Sequence, residues 1–222
     1  MNDYLIENIF VCVCAFIAFF CGLIRFAKPH KALYALMITL SVGCVAFGRL
    51  YQVVRLLIGG KVVGEFQLGF LGVIGSLLFL FSANFGTMDS IADDGSERFL
   101  KYRLIAAIAP ASALALYLAF ILFGDYPLLD KFMGGVLTVF AMEASYFNLK
   151  HLILPDVDFG IVNCLKAYNL TSLIYTFLCI AEYIALCRGY EIAEFVISIL
   201  IGASVVTIVA NASRGVKKWA TT

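Results

Sequence analysis

Seven long apolar stretches divide this chain of 222 residues. Each carries few or no charged residues, and they lie at 9–24, 32–48, 66–88, 104–124, 132–149, 167–187 and 195–213. The apolar core of a bilayer is about 30 Å thick, which roughly 20 helical residues cross, and a helix pairs its backbone amides within one segment. The sequence therefore predicts an all-α polytopic membrane protein with seven transmembrane helices in a single domain, residues 1–222. We place the helices at about 4–26, 32–58, 64–88, 104–124, 130–152, 162–187 and 192–213.

Composition and charge narrow the class of protein further. Hydrophobic residues make up 63% of the chain, charged residues only 14%, and the mean hydropathy is +0.97. A soluble domain has no means of burying so much apolar surface. The formal net charge of +1 gives no reason to expect a nucleic-acid partner. We therefore expect a multi-pass protein of the cell membrane, and the lack of eukaryotic sorting signals favours a bacterial inner membrane.

Lysine and arginine are distributed unevenly among the connections between the apolar stretches. They concentrate in the first, third and fifth connections and after the last stretch, and they are sparse elsewhere. Short cytoplasmic loops are enriched in these two residues. The pattern predicts an N-terminus outside the cell and a C-terminus in the cytoplasm.

The third and seventh stretches carry the same residues at nearly the same spacing. The matching segments are Gly60-x4-Glu65-Phe66 with Gly189-x4-Glu194-Phe195, Ile74-Gly75 with Ile201-Gly202, and Ala83-Asn84 with Ala210-Asn211. Both helices are predicted to run in the same direction, as a parallel duplication requires. Helices 1–3 and 5–7 would then be two triplets, with helix 4 as their linker. The alternative is that matches among such common residues arise by chance.

In this architecture the chain resembles the three-plus-one-plus-three carriers, such as the SWEET sugar transporters and the nicotinamide riboside transporters. Those families have seven spans, and the SWEET proteins have an outside N-terminus and an asparagine on helices 3 and 7 near the substrate pocket. The resemblance implies that Asn84 and Asn211 are the counterparts of those asparagines. It extends over the whole chain as topology only, because no Pro-Gln dipeptide follows helix 1 or helix 5.

Charged side chains inside the predicted helices call for a partner, since each costs about 2.5–3.5 kcal/mol on insertion scales. Counted at about 1.5 Å per residue, Arg49 lies roughly 25 Å above the start of helix 2 and Glu182 roughly 22 Å above the start of helix 6. The matching depths predict that Arg49 and Glu182 approach each other in the outer half of the bundle. Such a pair is either a gate or ligand-head site, extended by Gln52, or a static ion pair that fixes helix packing.

Three more polar residues complete the predicted ligand-binding set. Glu143 falls midway along helix 5 without a basic residue at matching depth, so it is expected either to take up protons in transport or to make a static hydrogen bond. Asn84 and Asn211 fall in the inner halves of helices 3 and 7, where they either line a solute pocket or bridge helices. The predicted set is Arg49, Gln52, Asn84, Glu143, Glu182 and Asn211.

The cytoplasmic connections suggest an alternative chemistry. Acidic residues cluster in two of them, at Asp89, Asp93, Asp94 and Glu97 and at Asp156 and Asp158. Such clusters can hold Mg²⁺ and through it a diphosphate, as a lipid- or prenyl-transferring enzyme would require, although they also suit a solvated loop. No catalytic residue is assigned, because no Ser-His-Asp or Cys-His pattern occurs, and two histidines do not make a His-based metal site.

A small carrier accounts for most of these features. We expect it to bind a small polar or amphiphilic solute within the helix bundle, with proton coupling, no resident cofactor or metal, and no enzymatic activity. A seven-span receptor would share the topology but would need a cytoplasmic signalling partner, and the enzyme would depend on its acidic loops. The lipid bilayer and a small-molecule ligand are the predicted partners, and assembly as a homo-oligomer stays open.

Overall fold

The computed structural model describes residues 2–26, 33–59, 68–155 and 160–219, and these are helical throughout apart from short turns, with no β-strand among them. The helices are α1 (Asn2–Phe26), α2 (Leu33–Leu57), α3 (Leu68–Ala83), α4 (Asp89–Ala92), α5 (Leu100–Ala106), α6 (Ile108–Leu122), α7 (Leu128–Ile153), α8 (Ile161–Arg188) and α9 (Glu191–Trp219). A π turn (Asn84–Met88) joins α3 to α4, and a 3-10 turn (Glu97–Phe99) leads into α5. The predicted all-α class is confirmed.

Six helical segments in the described part of the chain are long and apolar enough to cross a membrane. They are Tyr4–Phe26, Leu33–Leu57, Leu68–Gly86, Glu97–Leu122, Val162–Arg188 and Glu191–Lys218. α7 has the length of a span but is not among these six, and polar residues such as Asp130, Glu143 and Lys150 interrupt its apolar sequence. By length and composition the structure therefore supports six of the seven predicted spans.

Six of the long helices form a closed ring. α1, α2 and α3 pack in sequence, as do α7, α8 and α9, and the ring closes where α1 contacts α9 and α3 contacts α7. α2 also contacts α9, and α8 also contacts α3, so α2 and α8 lie nearest the centre. α6 packs on the outside, mainly against α7. Side chains on the inward faces of α2 and α8 are thereby brought together.

The ring has two ends, which we name by residues. At the Arg49 end, α1 begins and α2 ends; at the Asn84 end, α3 ends and α8 begins. The antiparallel packing of α1 on α2 is seen in the side-chain contact of Asn8 with Arg49 and in the approach of Cys12 to the carbonyl of Ala46.

Glycines bring α2 and α3 into backbone contact near the Arg49 end. A Cβ atom at Gly72 would lie 2.5 Å from the carbonyl oxygen of Cys44, and one at Gly48 would lie 2.8 Å from that of Gly69. Any other residue would therefore push the helices apart. Small residues are a common basis of helix association in lipid, where the hydrophobic effect does not drive helices together. The contact holds the last turns of α2, including Arg49, at a set distance from α3.

Candidate functional site

An ion pair is buried at the Arg49 end of the ring. The Arg49 guanidinium, from α2, donates through Nη2 to both carboxylate oxygens of Glu182, from α8. The two side chains are only 7% and 12% exposed. The prediction that these residues approach each other is confirmed, because two charges at one depth in an apolar bundle are stable only in contact.

Polar groups from two more helices also bond to this pair. Arg49 Nη1 donates to Asn8 Oδ1 of α1 at 3.0 Å and to Gln52 Oε1 at 3.3 Å. Ser198 of α9 donates to Glu182 Oε1 at 2.9 Å. α1, α2, α8 and α9 are therefore joined at one point. Gln52 was expected here, whereas Asn8 and Ser198 were missed, although each is a polar residue in an apolar stretch at the depth of the pair.

Two further carboxyl groups are buried beside the ion pair. Glu7 of α1 is 4% exposed and Glu194 of α9 is 7% exposed. Glu194 lies within electrostatic range of Glu7, Glu182 and Arg49. We call Glu7, Asn8, Arg49, Gln52, Glu182, Glu194 and Ser198 the charged network. Its described residues hold three carboxyl groups and one guanidinium, so this end favours protons and cations.

A line of small polar side chains leads from the charged network along the inward face of α8. It consists of Asn169, Ser172, Thr176 and Cys179, which are spaced three or four residues apart and are all buried. Tyr175 extends it sideways, because its hydroxyl donates to Ser76 Oγ at 3.0 Å, and Ser76 Oγ lies 2.8 Å from Ser41 Oγ. We call these seven residues the central seam. From Glu182 to Asn169 it covers about 20 Å at the helical rise.

Three asparagines meet where the seam reaches the Asn84 end. Asn84 Nδ2, at the start of the π turn, donates to Asn148 Oδ1 of α7 at 2.8 Å and to Asn169 Oδ1 of α8 at 3.2 Å. All three side chains are buried, and we call them the asparagine cluster. Asn84 was a predicted site residue, but Asn148 and Asn169 were not. A usable signal existed, since Asn169, Ser172 and Thr176 repeat at helical spacing on an otherwise apolar helix.

Asn84 and Asn211 have different hydrogen-bond partners in the structure. Asn211 is partly exposed, and its Nδ2 donates to the carbonyl of Ala167 at 3.4 Å, so it bridges α9 to α8. Asn84 is buried and bonds to Asn148 of α7 and Asn169 of α8. Of the two expected roles, the helix bridge fits Asn211, and the shared solute pocket stays a prediction.

The Glu143 side chain does not face the interior of the ring, and its expected role in proton uptake stays a prediction. Ala141, Ala144 and Asn148 form the buried face of α7, and Glu143 is exposed on its outer face beside Val139. The structure thus brings together Arg49, Gln52 and Glu182 at one end and places Asn84 at the other. Glu143 and Asn211 belong to neither group.

Five charged or titratable residues close the Asn84 end, and we call them the ionic cap. Lys150 Nζ donates to Asp89 Oδ1 at 2.6 Å and to Asp93 Oδ2 at 2.8 Å. Arg103 pairs with Asp93, and His151 Nε2 lies 3.1 Å from Asp89 Oδ1. The hydrogen bond from Arg103 is the main cause that lowers the pKa of Asp93. Burial raises the pKa of Asp89, but hydrogen bonds from His151 and Lys150 outweigh burial and bring it below its ordinary value.

The ionic cap bears on the enzyme hypothesis. Both carboxylate oxygens of Asp93 are bonded to Arg103 or Lys150, and Asp89 Oδ1 is bonded to Lys150 and His151, so these three oxygens are occupied by side chains of the protein itself. Asp94 pairs with Arg98 on the surface. The second acidic cluster, Asp156 and Asp158, lies outside the described residues. Within the described ranges, no group of His, Cys, Asp and Glu is arranged to hold a metal ion.

Comparison with known proteins adds no assignment to this geometry. The chain matches no protein-family model, no curated protein and no solved structure.

Proposed function

We propose that this protein is a membrane carrier that moves a small polar solute along the central seam, coupled to protons at the charged network. The observation that carries the proposal is the buried Arg49–Glu182 pair, which lies among additional carboxyl groups and at one end of a polar line through an apolar bundle. Polar groups inside a membrane bundle are costly, and they commonly mark ion or substrate pathways.

The bonding of Glu182 supports a specific form of coupling. Three side chains lie within electrostatic range of Glu182: Arg49, Glu194 and Tyr4. Glu7 lies within electrostatic range of Glu194. A proton or a cationic group of a solute competes with Arg49 for the Glu182 carboxylate. Once the pair is broken, the main polar bond between α2 and α8 at this end is lost, and the two helices are free to separate. The bound proton or cation thus favours the open state by its differential affinity for it.

The ring supports an arrangement of two three-helix units. α1–α2–α3 and α7–α8–α9 make corresponding contacts: α1 meets α9 as α7 meets α3, and α2 meets α9 as α8 meets α3. This is the pattern that a two-fold axis along the membrane normal produces. In the proposed carrier α7 also crosses the membrane, which brings the number of spans from six to seven, and the N-terminus is outside. Rocking of one three-helix unit against the other exposes the central seam to each side of the membrane in turn.

Reconstitution in liposomes with a trapped pH-sensitive dye tests the proposal. A panel of amino acids, betaines and primary amines is added outside, and solute-dependent proton entry is recorded. We expect at least one cationic or zwitterionic solute to give a response, and we expect Glu182→Gln to reduce it by at least about tenfold, since a Gln neither ionises nor competes for a proton. Glu143→Gln is the matched control and should keep the response.

Two results would contradict the proposal. One is the absence of solute-dependent proton entry across the whole panel in vesicles that contain folded protein. The other is an equal response from the wild-type protein and from Glu182→Gln.

A further inference from the structure

We propose that the asparagine cluster is a second binding site, which takes an uncharged group with both a hydrogen-bond donor and an acceptor, such as a carboxamide. As a step on a transport path it rests on the proposed function; as a binding site it does not. It differs in chemistry from the charged network, which lies about 20 Å away along α8.

Two amide atoms of the cluster have no hydrogen-bond partner among the described residues. They are Asn84 Oδ1 and Asn148 Nδ2, and both belong to side chains that are 0% exposed. Buried polar groups in proteins are almost always bonded, so each exception calls for an absent partner. One acceptor and one two-hydrogen donor are therefore left over, on two side chains that are hydrogen-bonded to each other.

The geometry limits what fits between them. The amides are linked by the 2.8 Å bond from Asn84 Nδ2 to Asn148 Oδ1. Because the nitrogen and oxygen of one amide are about 2.2 Å apart, the two remaining atoms lie within about 7 Å of each other. They are not close enough to bond directly. A single donor–acceptor group bridges such a gap by donating to Asn84 Oδ1 and accepting from Asn148 Nδ2.

The surroundings favour an uncharged group. Tyr168 and Ser172, near Asn169 on α8, carry buried hydroxyl groups. Tyr34 of α2 carries another, and its ring packs edge-on against Tyr168 with centroids 5.6 Å apart. These groups are neutral. The charged side chain that is buried at this end is Lys150 of the ionic cap, and it is already paired with Asp89 and Asp93.

The backbone gives an independent indication at the same position. Asn84 begins the π turn, in which the amide of Asp89 bonds to the carbonyl of Asn84. Such single π turns within α-helices are rare and occur frequently at functional sites. The turn places Asn84 against α7 and α8, the two helices that supply its partners.

Side-chain amide spectra of the full chain, labelled with ¹⁵N-asparagine in nanodiscs, test the inference. The probes are acetamide and urea, with acetate and methylammonium as charged comparisons. We expect acetamide to cause saturable shifts of the Asn148 and Asn84 amide signals. In Asn148→Asp, which keeps the shape but loses the donor, the affinity should fall by at least about tenfold. Asn211→Leu should bind as the wild-type protein does.

Three outcomes would overturn the inference: no saturable shift with acetamide or urea, equal shifts with acetate and methylammonium, or unchanged affinity in Asn148→Asp. Cross-peaks from water to Asn148 that no probe displaces would assign the gap to water and would also overturn it. Asn148→Leu is a second variant, with folding of each variant checked by circular dichroism.

The test separates this inference from the proposed function. Acetamide binding without any solute-dependent proton entry would leave the site standing and would remove the carrier. Proton entry that depends on Glu182, with no binding at the asparagine cluster, would do the reverse.

Discussion

The two ends of the ring bury polar groups in opposite ways. At the charged network, the ions of Arg49 and Glu182 are bonded to each other and to neutral side chains from neighbouring helices. At the asparagine cluster, Asn84 and Asn148 share one bond, and each leaves an atom without a partner in the described structure. An unpaired buried ion is far more costly than an unpaired amide. The chain therefore pairs the charges of Arg49 and Glu182 directly, with Arg49 Nε left without a partner among the described residues, whereas the open bonding positions of the asparagine cluster are on neutral groups.

The largest effect should come from removing one half of the ion pair. Arg49→Leu leaves Glu182 buried without its cation, which should destabilise the protein by about 3–5 kcal/mol, whereas the double variant Arg49→Leu/Glu182→Leu should recover much of this loss. Thermal unfolding in detergent measures both. If the double variant is as unstable as Arg49→Leu, the two residues are not coupled and the contrast between the ends fails.

A smaller effect is expected at the asparagine cluster. Asn84→Leu leaves the side-chain oxygens Oδ1 of Asn148 and Asn169 without their donor. The substitution should lower the free energy of unfolding by about 1–3 kcal/mol. Asn211→Leu removes one long bond to a backbone carbonyl and should cost about 0.6 kcal/mol or less. The same unfolding assay compares the two variants. Equal losses would mean that Asn84 has no special place in the bundle.

The ionic cap should make the stability of the protein depend on pH in the acidic range. Because Asp93 and Asp89 have folded pKa values below their ordinary ones, the stability they contribute is present in full above about pH 4 and is lost as the pH falls through the folded values. Asp93→Asn should flatten this acid limb, because the cap then has one carboxylate fewer with a lowered pKa. The measurement is the unfolding midpoint of the wild-type protein and of Asp93→Asn from about pH 7 down to about pH 3. Equal slopes against pH in the two proteins would contradict the role of Asp93 in the ionic cap.

The smallest effect should come from Glu143→Gln. The Glu143 side chain is exposed on the outer face of α7, so the substitution should change stability by no more than about 0.5 kcal/mol. It should also leave both ends of the ring unaffected. A loss comparable to that of Asn84→Leu would show that Glu143 has a partner in the assembled protein.

The contact of Arg49 with Glu182 could be predicted from sequence because depth in a membrane is a simple count of residues, and a buried charge requires a counter-charge. Rotation about the helix axis could not be predicted in the same way. The residues next to Glu143 in the sequence are mostly apolar both before and after it, so they do not indicate which face of α7 is buried. The different partners of Asn84 and Asn211 could not be predicted, because equal positions in two segments do not determine which side chains of the neighbouring helix each one meets.

Two further features depended on information that hydropathy does not carry. The π turn adds one residue to a helical turn and changes the direction of Asn84 without altering the apolar pattern. α7 closes the ring against α3 and α8 although it is not among the six helices apolar enough to be candidate spans. Its polar residues Asn148 and Lys150 are bonded within the bundle, so a low hydropathy here reflects internal contacts.

The π turn also has a mechanical consequence. A regular helix would connect α3 to α4 in one fixed rotation, whereas the extra residue at Asn84–Met88 sets the two segments about 100° out of phase. An irregularity of this kind can migrate by one residue while nearly all amides stay bonded. The end of α3 at Asn84 can therefore rotate about the π turn. Deleting a single residue from this turn would restore a regular helix and prevent that rotation.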